Sequence, residues 1–211
     1  MDLDFPLECF DHDLSATALA QFLNAEQLGV DTETMGLNIA RDRLCLVQIC
    51  NPAGQVAVVK IGRGQTAAPH LQHLLEHPGI TKIFHYARFD LATLRHHLGI
   101  RVQPVFCTKI ASKIARTYSP RHGLKDLALD MLGVELDKSA QSSDWGNALA
   151  LREDQLRYAA NDVRYLIPLR QQLLSILVRE ERLPLVEAAL SCLPAIVELD
   201  LGGYDRVFEH G

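Results

Sequence analysis

The spacing of apolar positions changes character once along this chain. Up to about residue 108, short β-prone runs alternate with helical stretches; beyond it the apolar positions recur every three or four residues. LSATALAQFLN (14–24) has helical spacing, with Ser15 placed to cap it. QLGVDTE (27–33) reads as a strand and RLCLVQIC (43–50) as an apolar strand that NPAGQ turns into VAVVKI (56–61), so the three runs predict an antiparallel meander. APHLQHLLEH (68–77) predicts a helix stopped by Pro78 and Gly79. A short strand TKIFHY (81–86), a helix ARFDLATLRHHLG (87–99) closed by Gly99, and a short strand VQPVFCT (102–108) follow.

The second half reads as helical. HGLKDLALDMLG (122–133) ends at a glycine, a common helix stop. Residues 151–181 predict one long amphipathic helix whose stripe is Leu156, Ala159, Val163, Ile167, Leu174 and Leu177, with a kink at Pro168. LVEAALSCLPAIVEL (185–199) predicts a final helix. Strands first, with helices to pack around them, give an α/β layered fold.

Length and composition narrow the class. With 211 residues the chain is expected to form one domain over 1–211, strand-rich over about 1–108 and helical over about 109–211. A domain of this size buries about 70 % of its unfolded surface and needs no disulfide or metal staple. The five cysteines have no paired CxxC spacing, which suggests reduced thiols and a cytoplasmic setting. MDLDFPLECFDHD lacks a signal pattern, and no apolar run reaches the ~18 residues of a spanning helix, so no membrane is expected. A net charge of −5 argues against a long basic track for nucleic acid; any basic patch must be local. There is no P-loop and no GxGxxG, and His70, His73 and His77 lack the Glu or Cys that would complete a zinc pattern.

The acidic residues carry the chemistry. Asp31 and Glu33 alternate along a strand and share a face, where like charges repel. Asp90 falls in the first turn of a helix, where an acid also serves the helix dipole. Tyr158 and Asp162 stand at i and i+4 of the late helix, on one face. Taken singly, these are a solvated strand end, a capping acid and an ordinary surface pair. Taken together, four carboxylates offer hard oxygen ligands suited to Mg²⁺ or Mn²⁺, enough for two divalent ions of a phosphoryl-transfer site. The tyrosine hydroxyl could orient an attacking water, since a phenol with a pKa of about 10 is a poor base.

DTE (31–33), FD (89–90) and YAAND (158–162) resemble the three motifs of DEDDy exonucleases, and SDWGNALALREDQLRYAANDVRYL (143–166) is similar to their ribonuclease D branch. The likeness runs from about residue 10 to 180. It implies a ribonuclease H-like mixed sheet flanked by α-helices, with C-terminal helices, and 3′-to-5′ hydrolysis of nucleic acid to nucleoside 5′-monophosphates. By position it makes Asp31, Glu33, Asp90 and Asp162 the ligands of two Mg²⁺ or Mn²⁺ ions and Tyr158 the holder of the water. Ribonuclease D proper carries further helical domains, and its branch commonly has asparagine where Tyr86 stands here. A compact chain with DTETMGL and an aromatic before ARFD resembles the nanoRNase C (NrnC) group within that branch, which implies a homo-octamer acting on short RNA down to diribonucleotides.

Expected substrate contacts follow. Met35, Gly36 and Leu37 come directly after the first motif: Gly36 would allow close backbone approach and Leu37 would wedge against bases. Tyr86 is a stacking candidate, as is Phe89, which also reads as core. Lys138, Gln141 and Trp145 match substrate positions ahead of the last motif, where a solvated loop around one buried tryptophan is the plainer reading. RTYSPRH (116–122) could hold phosphate or be a plain surface loop. Ribonuclease D-like trimming of longer RNA is the alternative function, and a silent nucleic-acid-binding domain the alternative of another class.

Overall fold

The computed structural model describes residues 5–137, 143–146, 151–204 and 207–208. Its centre is one mixed sheet of six strands: β1 (Leu7–Asp11), β2 (Gln27–Thr34), β3 (Leu44–Cys50), β4 (Val56–Lys60), β5 (Thr81–Phe84) and β6 (Val105–Cys107). The spatial order is β1-β4-β3-β2-β5-β6. Strands β2, β3 and β4 form the predicted antiparallel meander, while β1 joins β4, β5 joins β2 and β6 joins β5 in parallel. Every residue of β3 is buried, which is why it reads as a continuous apolar run with no alternation.

Helices cover both faces. On one side α1 (Ala16–Phe22), α2 (Pro69–Leu75), α3 (Ala87–Leu98) and α9 (Leu193–Leu201) close a core that includes Val30, Val47, Ile49, Leu74 and Leu94. On the other, α4 (Thr108–Ala115), α5 (Leu124–Leu132), α6 (Glu153–Arg164), α7 (Leu166–Arg179) and α8 (Leu183–Ser191) close a second core around Leu46, Val58, Ile83, Val163 and Leu173. The two faces of β2 and β3 therefore belong to different cores, and Asp31 and Glu33 lie on the α6 side. None of the described helices is long and apolar enough to cross a membrane.

Three expectations need correction. The pattern over 151–181 breaks at Tyr165, not at Pro168. Pro168 is the third residue of α7, where its missing N–H has no helical acceptor. The expected final helix is two, α8 and α9, parted at Cys192, with a proline in the first turn of each. Strand β1 and helix α4 went unpredicted.

Candidate active site

The site is built where α6 crosses β2. A side chain on Gly29 would run into the main-chain carbonyl of Val163, so glycine there lets α6 lie directly on the strand. Asp31 shares the face of Gly29 two residues on, and Asp162 is the α6 residue beside Val163. The result is a cluster: carboxylate oxygens of Asp31, Glu33 and Asp162 all lie within 4.8 Å of one another.

Asp90 stands beside this trio in the first turn of α3. That helix opens immediately after β5 through Tyr86, which takes a left-handed backbone (φ 70°) to make the turn. The Asp90 Oδ1 accepts from the Thr32 hydroxyl at 2.7 Å. Burial pushes the Asp90 carboxyl up to about 7 against that hydrogen bond, and the charge of Asp162 pushes the same way as burial. A carboxylate so placed is short of positive charge, and the set is all hard oxygen. It fits divalent cations such as Mg²⁺ or Mn²⁺.

Tyr158 lies one turn before Asp162 on α6 and its phenol hydrogen-bonds to it. Burial, then the charges of Asp162 and Glu33, raise the phenol far above its ordinary range. The hydroxyl is thereby disposed to donate to or hold a neighbouring oxygen. Trp145 is 3 % exposed and its ring centroid is 5.9 Å from that of Tyr158, which it braces.

A cleft of about 530 Å³ opens over the cluster, lined among others by Met35, Gly36, Leu37, Phe89, Trp145 and Tyr158. Leu37 is 84 % exposed and Met35 58 %, apolar side chains held out over a polar floor. Their loop is tied down by Asp42. Its carboxylate accepts from the Asn38 N–H and the Arg41 guanidinium, and Gly36 packs where a side chain would collide with it. Those bonds hold the Asp42 carboxyl down at about 2. Arg43 joins the loop to the far wall, its main-chain oxygen accepting from Met35 N–H and its guanidinium donating to Gly146 O at 2.6 Å.

Not every expected contact is here. Tyr86 does not line the cleft; it stands exposed at the start of α3 with Lys109 Nζ 4.3 Å above its ring. Lys138 and Gln141 lie outside the described residues. The arginines of the 116–122 loop are paired to α5, with Arg116 and Arg121 both on Asp130. Sequence reasoning passed over His85, which lines the cleft. The Thr108 hydroxyl donates to Phe84 O, so its oxygen accepts from His85 Nδ1 at 2.9 Å and fixes the ring tautomer. Its place in HYARFD, at the end of a strand, was the available signal.

The family model described as 3′-5′ exonuclease matches residues 8–178. The chain belongs to the 3′-5′ exonuclease family. Within it the chain is similar to ribonuclease D: that of Acidiphilium cryptum is 36 % identical over 182 residues, covering 84 % of this chain and 45 % of the relative. That of Gluconacetobacter diazotrophicus is 35 % identical over 166 residues, covering 79 % and 42 %. The chain thus spans under half the length of these relatives. Among solved exonucleases, Brucella melitensis NrnC with bound Mg²⁺ is 44 % identical, with TM-score 0.91 and coverage of 98 % of this chain and 100 % of that one. The same nuclease bound to pGG is 45 % identical, with TM-score 0.92 and coverage of 99 % and 100 %. The chain is a ribonuclease D-branch exonuclease like NrnC.

Proposed function

We propose that this chain is a metal-dependent 3′-5′ exoribonuclease of DEDDy type that hydrolyses short RNA, down to diribonucleotides, to nucleoside 5′-monophosphates. The observation that carries the reading is the convergence of Asp31, Glu33 and Asp162 within 4.8 Å, with Tyr158 hydrogen-bonded to Asp162. Asp31, Glu33, Asp162 and Asp90 would hold two Mg²⁺ or Mn²⁺ ions. When bound, such ions neutralise phosphate charge and lower the pKa of water. The protein's own part is placement: Gly36 lets the backbone approach a terminal nucleotide, Leu37 and Phe89 meet bases, and Tyr158 orients the attacking water. Preference for short RNA is supported by the net charge of −5 and the likeness to a nuclease solved with pGG. A homo-oligomer is part of the proposal, an octamer being what the sequence resemblance implies; exposed Val178, Leu185, Tyr204 and Phe208 on the C-terminal helices and tail support it. Size-exclusion light scattering reads it directly.

The test is cleavage of 5′-labelled RNAs from two to about ten nucleotides in Mg²⁺ and in Mn²⁺, beside Asp31→Ala. The expected result is fastest turnover of the shortest RNA and none by the variant. A rate that holds or rises with length would replace the reading with ribonuclease D-like trimming. Metal-independent binding without cleavage would make the chain a silent binder.

A further inference from the structure

Gln48 occupies the middle of β3 and is wholly shielded from solvent, yet among the described residues neither its amide nitrogen nor its amide oxygen meets a hydrogen-bond partner. Buried polar groups are nearly always paired, and an orphaned amide is a standing cost to the fold. An apolar side chain would fill the place at no such cost. Its surroundings are otherwise apolar: Leu46 and Cys50 flank it on the same face of β3, and Val58 stands opposite on β4.

The other cross-strand neighbour is different. In the β2–β3 register Gln48 is directly opposite Asp31. Opposed residues on neighbouring strands share a face, with Cβ atoms roughly 4.5–5.5 Å apart. A glutamine there reaches a carboxylate by turning about its own side-chain bonds. Carboxylates that ligate metal are themselves hydrogen-bonded, because the oxygen left over from ligation needs a donor to fix its orientation. Gln48 is a neutral donor in the right place. It adds no charge to a cluster already rich in negative charge, and it stands on the same sheet face as Asp31 but wholly buried.

We propose that Gln48 is a positioning residue for the acidic cluster: with divalent metal bound, its amide NH₂ donates to the Asp31 carboxylate. The inference rests on Asp31, Glu33 and Asp162 being metal ligands. It gives a partner to a buried amide that has none among the described residues.

The experiment compares wild type, Gln48→Leu, Gln48→Met and Asp31→Ala in two measurements. Metal-free thermal melting in EDTA reads the fold; titration with Mn²⁺ followed by electron paramagnetic resonance reads the site. Both Gln48 variants are expected to melt a few degrees above wild type, having lost an unpaired buried amide. They are expected to bind Mn²⁺ about tenfold more weakly, with a changed bound-ion spectrum. Mn²⁺ affinity equal to wild type in both Gln48 variants, with binding lost in Asp31→Ala, would overturn the role of Gln48 and leave the metal site standing. Unchanged binding in Asp31→Ala would remove the site itself, and the proposal with it. Gln48 variants that melt below wild type would assign the amide a structural role and also overturn it.

Discussion

The main-chain carbonyl of Val163 sits where a methyl group on Gly29 would have to stand. Because the obstacle is backbone, no side-chain rotation relieves it, and Gly29→Ala must push α6 off β2. Overpacking of this kind costs about 1–3 kcal/mol. The larger consequence is at the site, since Asp162 travels with the helix and parts from Asp31 and Glu33. Gly29→Ala is expected to melt lower and to bind Mn²⁺ more weakly than wild type. Normal Mn²⁺ affinity in a destabilised variant would show that the seating of α6 does not set the cluster.

Tyr158→Phe separates orientation from ligation. Burial and the neighbouring carboxylates raise the phenol, and in the proposed role its removal subtracts a hydrogen bond and no base. Loss of one such positioning group is expected to cost roughly 10² in kcat. Mn²⁺ affinity should stay as in wild type, and the shape of the pH–rate profile below pH 9 should not change. A lost alkaline or neutral limb in that profile would restore the tyrosine as a base.

Leu37→Ala tests the exposed wedge. At 84 % exposure the side chain contributes little to the fold, so melting should move negligibly. Contact with a base would be worth about 1–2 kcal/mol, read as a fall of roughly tenfold in kcat/KM on a dinucleotide. Kinetics unchanged on both a dinucleotide and a ten-nucleotide RNA would leave Leu37 without a role in substrate binding.

Lys82 gives a pH signature unrelated to catalysis. It is fully buried in β5, donating to the main-chain oxygens of His77, at 2.8 Å, and Gln103. Burial pushes its pKa down to about 8 from an ordinary 10.5. Below pH 8 both folded and unfolded chains carry the proton. Between pH 8 and 10.5 the unfolded chain keeps it and the folded chain has lost it, so stability rises with pH. The melting temperature of wild type relative to Lys82→Met should therefore climb across that window and level off above it. A flat difference would mean the ammonium, bonded to two carbonyls, keeps its ordinary pKa.

The meander and the pairs Asp31–Glu33 and Tyr158–Asp162 were legible because they depend on local period, alternation along one strand and i, i+4 spacing along one helix; that the pairs meet was implied only by the family resemblance. Strand β1 was not legible, since it is an edge strand whose exposed Glu8 and Asp11 dilute any pattern, and only its pairing with β4 makes it a strand. Helix α4 follows β6 with no intervening residue, so no turn signal marks its start. The apolar stripe runs on through Tyr165, so the break there is marked only by Pro168, whose ring excludes a helical carbonyl at Arg164. Gly29 and His85 were missed for a shared reason. What each does is set by a segment distant in sequence, and a single chain shows no trace of that approach.

Thr32 lies between Asp31 and Glu33 and points the other way, where its hydroxyl holds Asp90. The strand is thus a shared wall, with acid on one side and the latch for the fourth acid on the other. Its neighbouring layers are separate cores, each closed by its own helices. A chain that had condensed only one of them would own an incomplete cluster. A one-residue slip of β2 would not be a small error either, since it exchanges Thr32 for the acids and turns the site inside out. Regain of activity on refolding is then a clock for whichever core closes last, however early the other has formed.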